Sequence, residues 1–586
     1  MTPPVQPSNP HAELDQQAQA MLAIASGSLS PQSIALAWLD WASHLATSPG
    51  KLTELAQMPA EHAVALARYA QESLTAAGHQ ALNSPATPPE PPLSDRRFSD
   101  PLWQQFPYNV LQQSFLMNQR WWDTATRGVR GVTPHHADVV NFIARQLTDM
   151  FSPANQLLTN PIALKTTAEQ GGVNLLQGMV HFMEDLERRR DSLPPVGAEE
   201  YKVGRDVAVS EGKVVLRTPV VELIQYAPTT EKVHPEPILL IPAWIMKYYI
   251  LDLSPHNSLV RYLVENGHTV FCISWKNPGE AERDLGMADY LEHGFNAVLQ
   301  AIDTIVPGRK VHAAGYCLGG TLLSIAAATL VRDGQIDRLA SVTLLAAQTD
   351  FSEPGEISLF IDESQVSMLE AEMAQAGYLR ADQMAGAFQM LRSYDLLWSK
   401  MVQEYLLGER TPMNDLMAWN ADATRMPARM HTEYLRHLFL DNELACSRYM
   451  VGGKPVTLLN LNLPVFCVGT VTDHVAPWRS VYKLHSLCPT EITFALTSGG
   501  HNAGIVNPPG NARRRYQIAV REAQGGVPTP DEWQAGAPLH QGSWWPAWLE
   551  WLKSRSGDPI KPPALGAPRK GYPLLADAPG EYVHEK

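Results

Sequence analysis

Cysteine is scarce in this sequence. There are five in 586 residues, scattered and without C-x-x-C spacing, which excludes a disulfide framework and argues against a zinc site. Cys272, Cys446, Cys467 and Cys488 read as reduced thiols packed as small apolar residues. Positive charge is in deficit as well. Lys and Arg number 46 against 60 Asp and Glu, a formal net charge of −14, which argues against nucleic acid as the main partner. No G-x-x-x-x-G-K-[ST] phosphate loop is present. The sharpest basic cluster, Arg513-Arg514-Arg515, could meet the phosphates of a coenzyme leaving group, but a solvated face explains it more simply. Met1 to Leu22 contains no Lys or Arg and includes Pro3, Pro4, Glu13 and Asp15, unlike a secretory signal. One run, Ala313 to Val331, is free of charge for nineteen residues. Its glycines (315, 319 and 320) and polar Cys317, Thr321 and Ser324 fit a strand, a sharp turn and a buried helix, so no transmembrane span is expected. With 45% apolar and 18% charged residues, the chain reads as globular, cytoplasmic and built from more than one domain.

The spacing of Ile34, Trp38, Trp41 and Leu45 predicts a helix whose stripe is core or a partner-helix contact, with Ser30-Pro31 as its start. Residues 1–82 read as a helical N-terminal segment. Residues 83–97 read as a linker, since Asn83 to Pro92 holds five prolines in ten residues. Residues 98–200 again follow a helical pattern. A plausible hairpin about Glu211-Gly212 comes next, then short apolar runs at Ile238–Ile241, Val270–Trp275, Val311–Ala314, Val342–Ala346, Val465–Val468 and Ile492–Leu496, separated by helical stretches. Such alternation predicts a mostly parallel sheet buried on both faces. The core is assigned to residues 201–350 and 457–556. The apolar stretch 351–456, rich in Met, Leu, Tyr and Trp, is read as a folded cap over a pocket. Residues 557–586 form an extended tail.

Within Val311 to Gly320 a β-run leads into Gly315-Tyr316-Cys317-Leu318-Gly319 and then a helical pattern, the nucleophile-elbow arrangement with Cys as nucleophile. The thiol would sit at a helix N-terminus, where dipole and free N–H groups favour thiolate. An acid and then a His should follow in sequence. Asp473 lies just past the strand Val465–Val468, and His501 lies on the glycine-rich loop Ser498 to Gly504 after the strand Ile492–Leu496. Cys317, Asp473 and His501 thus each follow a separate strand in the required order. His474, which shares a loop with the acid, is the rival base. Oxyanion donors are expected at the N–H of Leu318 and in Pro242-Ala243-Trp244-Ile245, where Trp244 or Ile245 can donate and Pro242 cannot.

From about Asp95 to Trp551 the sequence resembles the polyhydroxyalkanoate synthases. The marks are Ser152-Pro153-Ala154-Asn155, Thr159-Asn160-Pro161, Tyr248-Tyr249-Ile250-Leu251-Asp252-Leu253, Ser274-Trp275-Lys276-Asn277-Pro278, Gly315 to Thr321, Trp419-Asn420, Asp473-His474, Gly500-His501 and Gly542-Ser543-Trp544-Trp545. The resemblance implies an α/β-hydrolase core with a cap insertion and a helical N-terminal domain. It also implies an enzyme that joins (R)-3-hydroxyacyl units from coenzyme A thioesters into polyester with no cofactor, as a homodimer at the surface of cytoplasmic polyester granules. Cys317 would carry the chain as a thioester, His501 would be the base, and Asp473 would orient it or help activate the substrate hydroxyl. Three positions depart from the family pattern: Ala243 where a second Pro is common, Met246 where Asn is common, and Asn502 where many members have an apolar residue. Two other readings are a Cys-dependent thioesterase or ester hydrolase, which the same triad would serve, and a non-catalytic protein that coats granules.

Overall fold

The computed structural model describes residues 10–82, 89–391 and 393–586. Most of the proline-rich stretch, residues 83–88, lies outside them. The chain divides into two units, one of Met1–Ser28, Val196–Ala385 and Met413–Lys586, the other of Leu29–Pro195 and Gly386–Pro412.

The first unit is built on an eleven-stranded sheet. Its strands are β1 (Gly212–Arg217), β2 (Val221–Tyr226), β3 (His234–Ile241), β4 (His268–Trp275), β5 (Val311–Tyr316), β6 (Leu339–Leu345), β7 (Val465–Thr470), β8 (Ile492–Thr497), β9 (Arg515–Arg521), β10 (Leu539–Gln541) and β11 (Ala576–Asp577). The order across the sheet is β10-β9-β8-β7-β6-β5-β3-β4-β2-β1-β11. The six strands from β8 to β4 run parallel, and antiparallel strands extend both edges. Every residue of β4, β5, β7 and β8 is buried, which is why these segments read as continuous apolar runs without alternation. Two apolar clusters pack on the two faces, and half-buried Cys317 touches both.

One sequence expectation changes and another gains its anchor. The hairpin is made by β1 and β2 and turns at Thr218 to Val220, not at Glu211-Gly212. The Thr218 side chain accepts from the N–H groups of Val220 and Val221 and so closes the turn locally. The extended tail is fastened along its length: β11 pairs with β1, and Ile560 bridges to Val233.

The boundaries also cut differently. Helix Pro10–Ser26 belongs to the first unit. There Ala20 and Ala23 are buried, and Ser28 beyond it bonds to Glu372 and Gln365 of the cap at 2.9 and 2.7 Å. The cap insertion itself is shared, since residues 386–412 fall in the second unit.

The second unit is helical. Ser30 caps helix Pro31–Ala46 by accepting from Ser33 N–H. The expected stripe packs inward: Trp41 and Leu45 lie on Leu55, Met58 and Ala125, and the Trp41 indole donates to the Ala125 carbonyl at 2.8 Å. Among the described residues no single helix is long and apolar enough to cross a membrane. The charge-free run resolves into the end of β5 and the helix Leu318–Arg332.

Candidate active site

Strand β5 ends at Tyr316, Cys317 turns, and the helix Leu318–Arg332 begins at once. Cys317 has φ 52° and ψ −124°, a positive φ that side-chain-bearing residues rarely adopt. Its N–H is tied to Leu345 of β6 at 2.9 Å, and its carbonyl accepts from Gly320 and Thr321 at 2.9 and 3.2 Å. The flanking glycines make this crossing possible. A Cβ on Gly315 would lie 2.6 Å from the Gly319 carbonyl oxygen, and one on Gly319 would lie 2.6 Å from that of Pro242. Gly319 therefore lets the turn after β3 pass against the first turn of the helix Leu318–Arg332.

Asp473 follows β7 and His501 follows β8, and the structure brings both to Cys317. His501 Nδ1 pairs with Asp473 Oδ2 at 2.8 Å. The Cys317 sulfur lies close enough to the imidazole to act on its protonation. The Asp473 carboxylate is fully buried and the His501 ring is 10% exposed. Asp473 also accepts from Thr470 Oγ1 and from the N–H groups of Val475 and Ala476, each at 2.9 Å. Burial pushes its carboxyl pKa up, but the His501 charge and these hydrogen bonds outweigh burial and hold it below the ordinary value. Burial alone would lower the His501 pKa. The charges of Asp473 and Cys317, and the hydrogen bond to Asp473, instead raise it well above the usual imidazole range. His501, not His474, is the imidazole paired with Asp473. The His474 backbone carbonyl accepts from Glu356 N–H.

Of the expected oxyanion donors, Leu318 is the first residue of the helix, where N–H groups have no intrahelical acceptor. Ile245 lies in the turn after β3. Thr424 Oγ1 donates to the Trp244 carbonyl at 2.6 Å, and because a trans peptide sets its C=O and N–H in opposite directions, this fixes where the Ile245 N–H points. Among the described residues neither amide has a protein acceptor. The carbonyls of this turn are held from outside by Trp275 Nε1 on Pro242 and Trp419 Nε1 on Lys247, at 2.8 and 2.7 Å.

Several contributing residues escaped sequence reasoning. Tyr316 packs on His501 with ring centroids 5.4 Å apart, and its hydroxyl donates to Asn502 Oδ1 at 2.6 Å. The indoles of Trp544 and Trp545 donate to the carbonyls of Gly504 and Ile505 at 3.0 and 2.9 Å, pinning the loop that carries His501. The Gly542-Ser543-Trp544-Trp545 motif was the available signal. From the cap, Tyr434 approaches closely enough that burial first, then the Cys317 charge, drives its pKa far up. Its ring stacks edge-on against Phe351 and Phe439.

The sequence of this chain matches the family models for the poly-beta-hydroxybutyrate polymerase N-terminus over residues 9–51 and 94–263, and the alpha/beta hydrolase fold over 236–508. It is 40% identical over 502 residues to the poly(3-hydroxyalkanoate) polymerase of Methylorubrum extorquens, covering 85% of this chain and 82% of that one. Against the polymerase subunit PhaC of Cupriavidus necator the identity is 38% over 505 residues, covering 84% of each. The chain belongs to the poly(3-hydroxyalkanoate) polymerase family.

Two further clusters of this polymerase lie apart from the triad's bonds. Arg514 donates to the Ser498 carbonyl at 3.2 Å at the root of the His501 loop. His437, Asp441 and Glu443 each bring a ligand-type atom within 4.8 Å of the others, and His437 pairs with Glu443 at 3.2 Å.

Proposed function

We propose that this enzyme polymerises (R)-3-hydroxyacyl groups from coenzyme A thioesters, releasing coenzyme A and carrying the growing chain as a thioester on Cys317. The observation that supports it most is the His501–Asp473 pair beside Cys317. Asp473 occupies Nδ1 and so leaves Nε2 for sulfur, while the raised basicity of His501 suits it to take the thiol proton. The thiolate then attacks the acyl carbon. The oxyanion that forms would be met by the Leu318 and Ile245 amides. Collapse breaks the carbon–sulfur bond to coenzyme A, whose sulfur leaves with the proton held by His501. In elongation the substrate hydroxyl gives its proton to His501 and attacks the thioester, forming an ester bond and freeing Cys317.

The choice of sulfur fits this sequence of steps. Moving an acyl group between two thiols is nearly isoenergetic, so the enzyme thioester stays reactive toward a hydroxyl. Polymer forms only if water loses to that hydroxyl, and the aromatic group of Phe351, Tyr434 and Phe439 beside the thiol would exclude water. An insoluble product also calls for residence at its surface. We take the enzyme to be cytoplasmic, granule-bound and homodimeric. The exposed apolar side chains of Leu176, Met179, Val180 and Met183 favour such a surface.

The test is turnover of 3-hydroxybutyryl-CoA, reading both thiol release and product size. Thiol release with polymer, lost in folded Cys317→Ala, is expected. Free hydroxy acid in place of polymer would make the protein a thioesterase, and no release by the folded native chain would leave it a granule coat.

A further inference from the structure

Residues 581–586 are held to the sheet unit by several hydrogen bonds. Val583 is buried. Buried Glu222 accepts the N–H groups of Glu581 and Tyr582 at 2.8 and 3.0 Å, and the Tyr582 hydroxyl donates to the Thr218 carbonyl at 2.7 Å. This brings Glu585 and Lys586 to a junction of two segments that are far apart in sequence.

On one side is Lys247, two residues beyond Ile245 and only 3% exposed. Its ammonium donates to the Glu585 carbonyl at 2.6 Å. On the other side is the cap stretch 422–425. There Lys586 Nζ pairs with Asp422 and Arg425 donates to the Lys586 backbone oxygen, at 2.9 and 2.7 Å. Asn277 closes the ring, donating to the Glu585 carbonyl at 3.3 Å and accepting from Arg425 N–H at 2.9 Å. Between these two edges lies the bridge of Met246 with Ala423 and the Thr424 hydroxyl on the Trp244 carbonyl.

A buried ammonium costs free energy unless its donors are filled. Here the acceptors come from a segment more than three hundred residues away, so the position of Lys247 depends on the tail. The direction of the Ile245 N–H depends in turn on Thr424, which sits in the stretch the tail holds.

We propose that Lys247, Arg425 and the 585–586 backbone are positioning residues: together they fasten the turn after β3 to cap residues 422–425 and keep the Ile245 amide aimed at the oxyanion. This rests on the reading of Cys317 as the acyl carrier. An amide that meets only the developing oxyanion acts in the transition state. Losing its aim lowers kcat and leaves KM alone.

The experiment uses the full chain with 3-hydroxybutyryl-CoA, with Lys247→Met as the main variant and Arg425→Met, half-buried and safer for folding, as the second. Thermal unfolding reports the fold, and the rate of Cys317 alkylation by iodoacetamide reports the Cys317–His501 pair independently. The expected result is kcat about tenfold or more lower in each folded variant, with KM and alkylation rate within about twofold of wild type. Unchanged kcat in a folded variant, or alkylation lost in parallel with turnover, overturns the proposal. Should Lys247→Met not fold, Arg425→Met decides by the same readings. Absence of thiol release from the wild type would instead remove the functional reading beneath it.

Discussion

At Cys317 two costs are accepted for one geometry. A non-glycine residue is held at positive φ, worth about 1–3 kcal/mol of strain, and a charge-sharing pair is kept nearly dry. Both are supported locally, by the β6 carbonyl, the helix and the Asp473 carboxylate with its three further donors. If the Cys317 sulfur helps to keep His501 basic, Cys317→Ala should lower the His501 pKa as well as abolish turnover, which an NMR titration of the imidazole would read. Asp473→Asn should keep the site's shape but lose the charge that holds the Nδ1 proton, and kcat should fall about 10³- to 10⁴-fold. Stability carries the same signature with a definite sign. The His501 pKa in the folded state is raised, so its contribution is complete below the unfolded value of about 6.5 and disappears as pH climbs through the folded one. The difference in unfolding free energy between wild type and His501→Gln should therefore be larger at pH 6 than at alkaline pH, as measured by urea denaturation.

Among the elements, those that place Cys317 could be read from sequence because they are local. A buried strand, a glycine on each side of the turn and an apolar helix all lie within about twenty consecutive residues, and their patterns need no partner to be recognised. The order acid then His was legible because each follows its own apolar strand. The β1–β2 hairpin was misplaced because Glu211-Gly212 offers a common turn pair, while the real turn is closed by the Thr218 side chain. The loop of His501 was legible as a loop but not in its support, since the indoles that fix it come from forty residues downstream. Those indoles give a prediction of their own. Trp544→Phe leaves the buried Gly504 carbonyl without its donor, which should cost about 1–3 kcal/mol, read from the urea midpoint. It should also reduce kcat by loosening the His501 loop. Gly319→Ala should cost a similar amount by another route, because its new Cβ meets backbone that cannot move aside. A loss of about 1–3 kcal/mol from overpacking, with slower Cys317 alkylation, is expected there.

For the whole molecule, contacts between distant parts of the sequence decide what pattern reading cannot. Nothing in Pro10–Ser26 announces a partner. Its apolar stripe would suit any surface, and its burial depends on small residues that carry little hydrophobic signal. The structure sets Ala20 and Ala23 against the first unit and ties Ser28 to Glu372 and Gln365 of the cap, with Gln383 donating to the Ser28 hydroxyl at 2.9 Å. The helix thus braces helix Glu363–Ala376, which belongs to the same insertion that delivers Tyr434 beside Cys317. Replacing Ala23 with Leu puts a large side chain where the backbones come close. Overpacking there costs about 1–3 kcal/mol. Ala23→Leu should therefore undock residues 10–26 with the sheet intact. Hydrogen exchange would then quicken in 10–26 and 363–376 but not in β3 to β8. If cap order is what keeps water from the thioester, the same variant should release more free hydroxy acid per polymer unit without slowing Cys317 acylation. That product ratio separates a brace on the cap from a helix that merely rests on the surface.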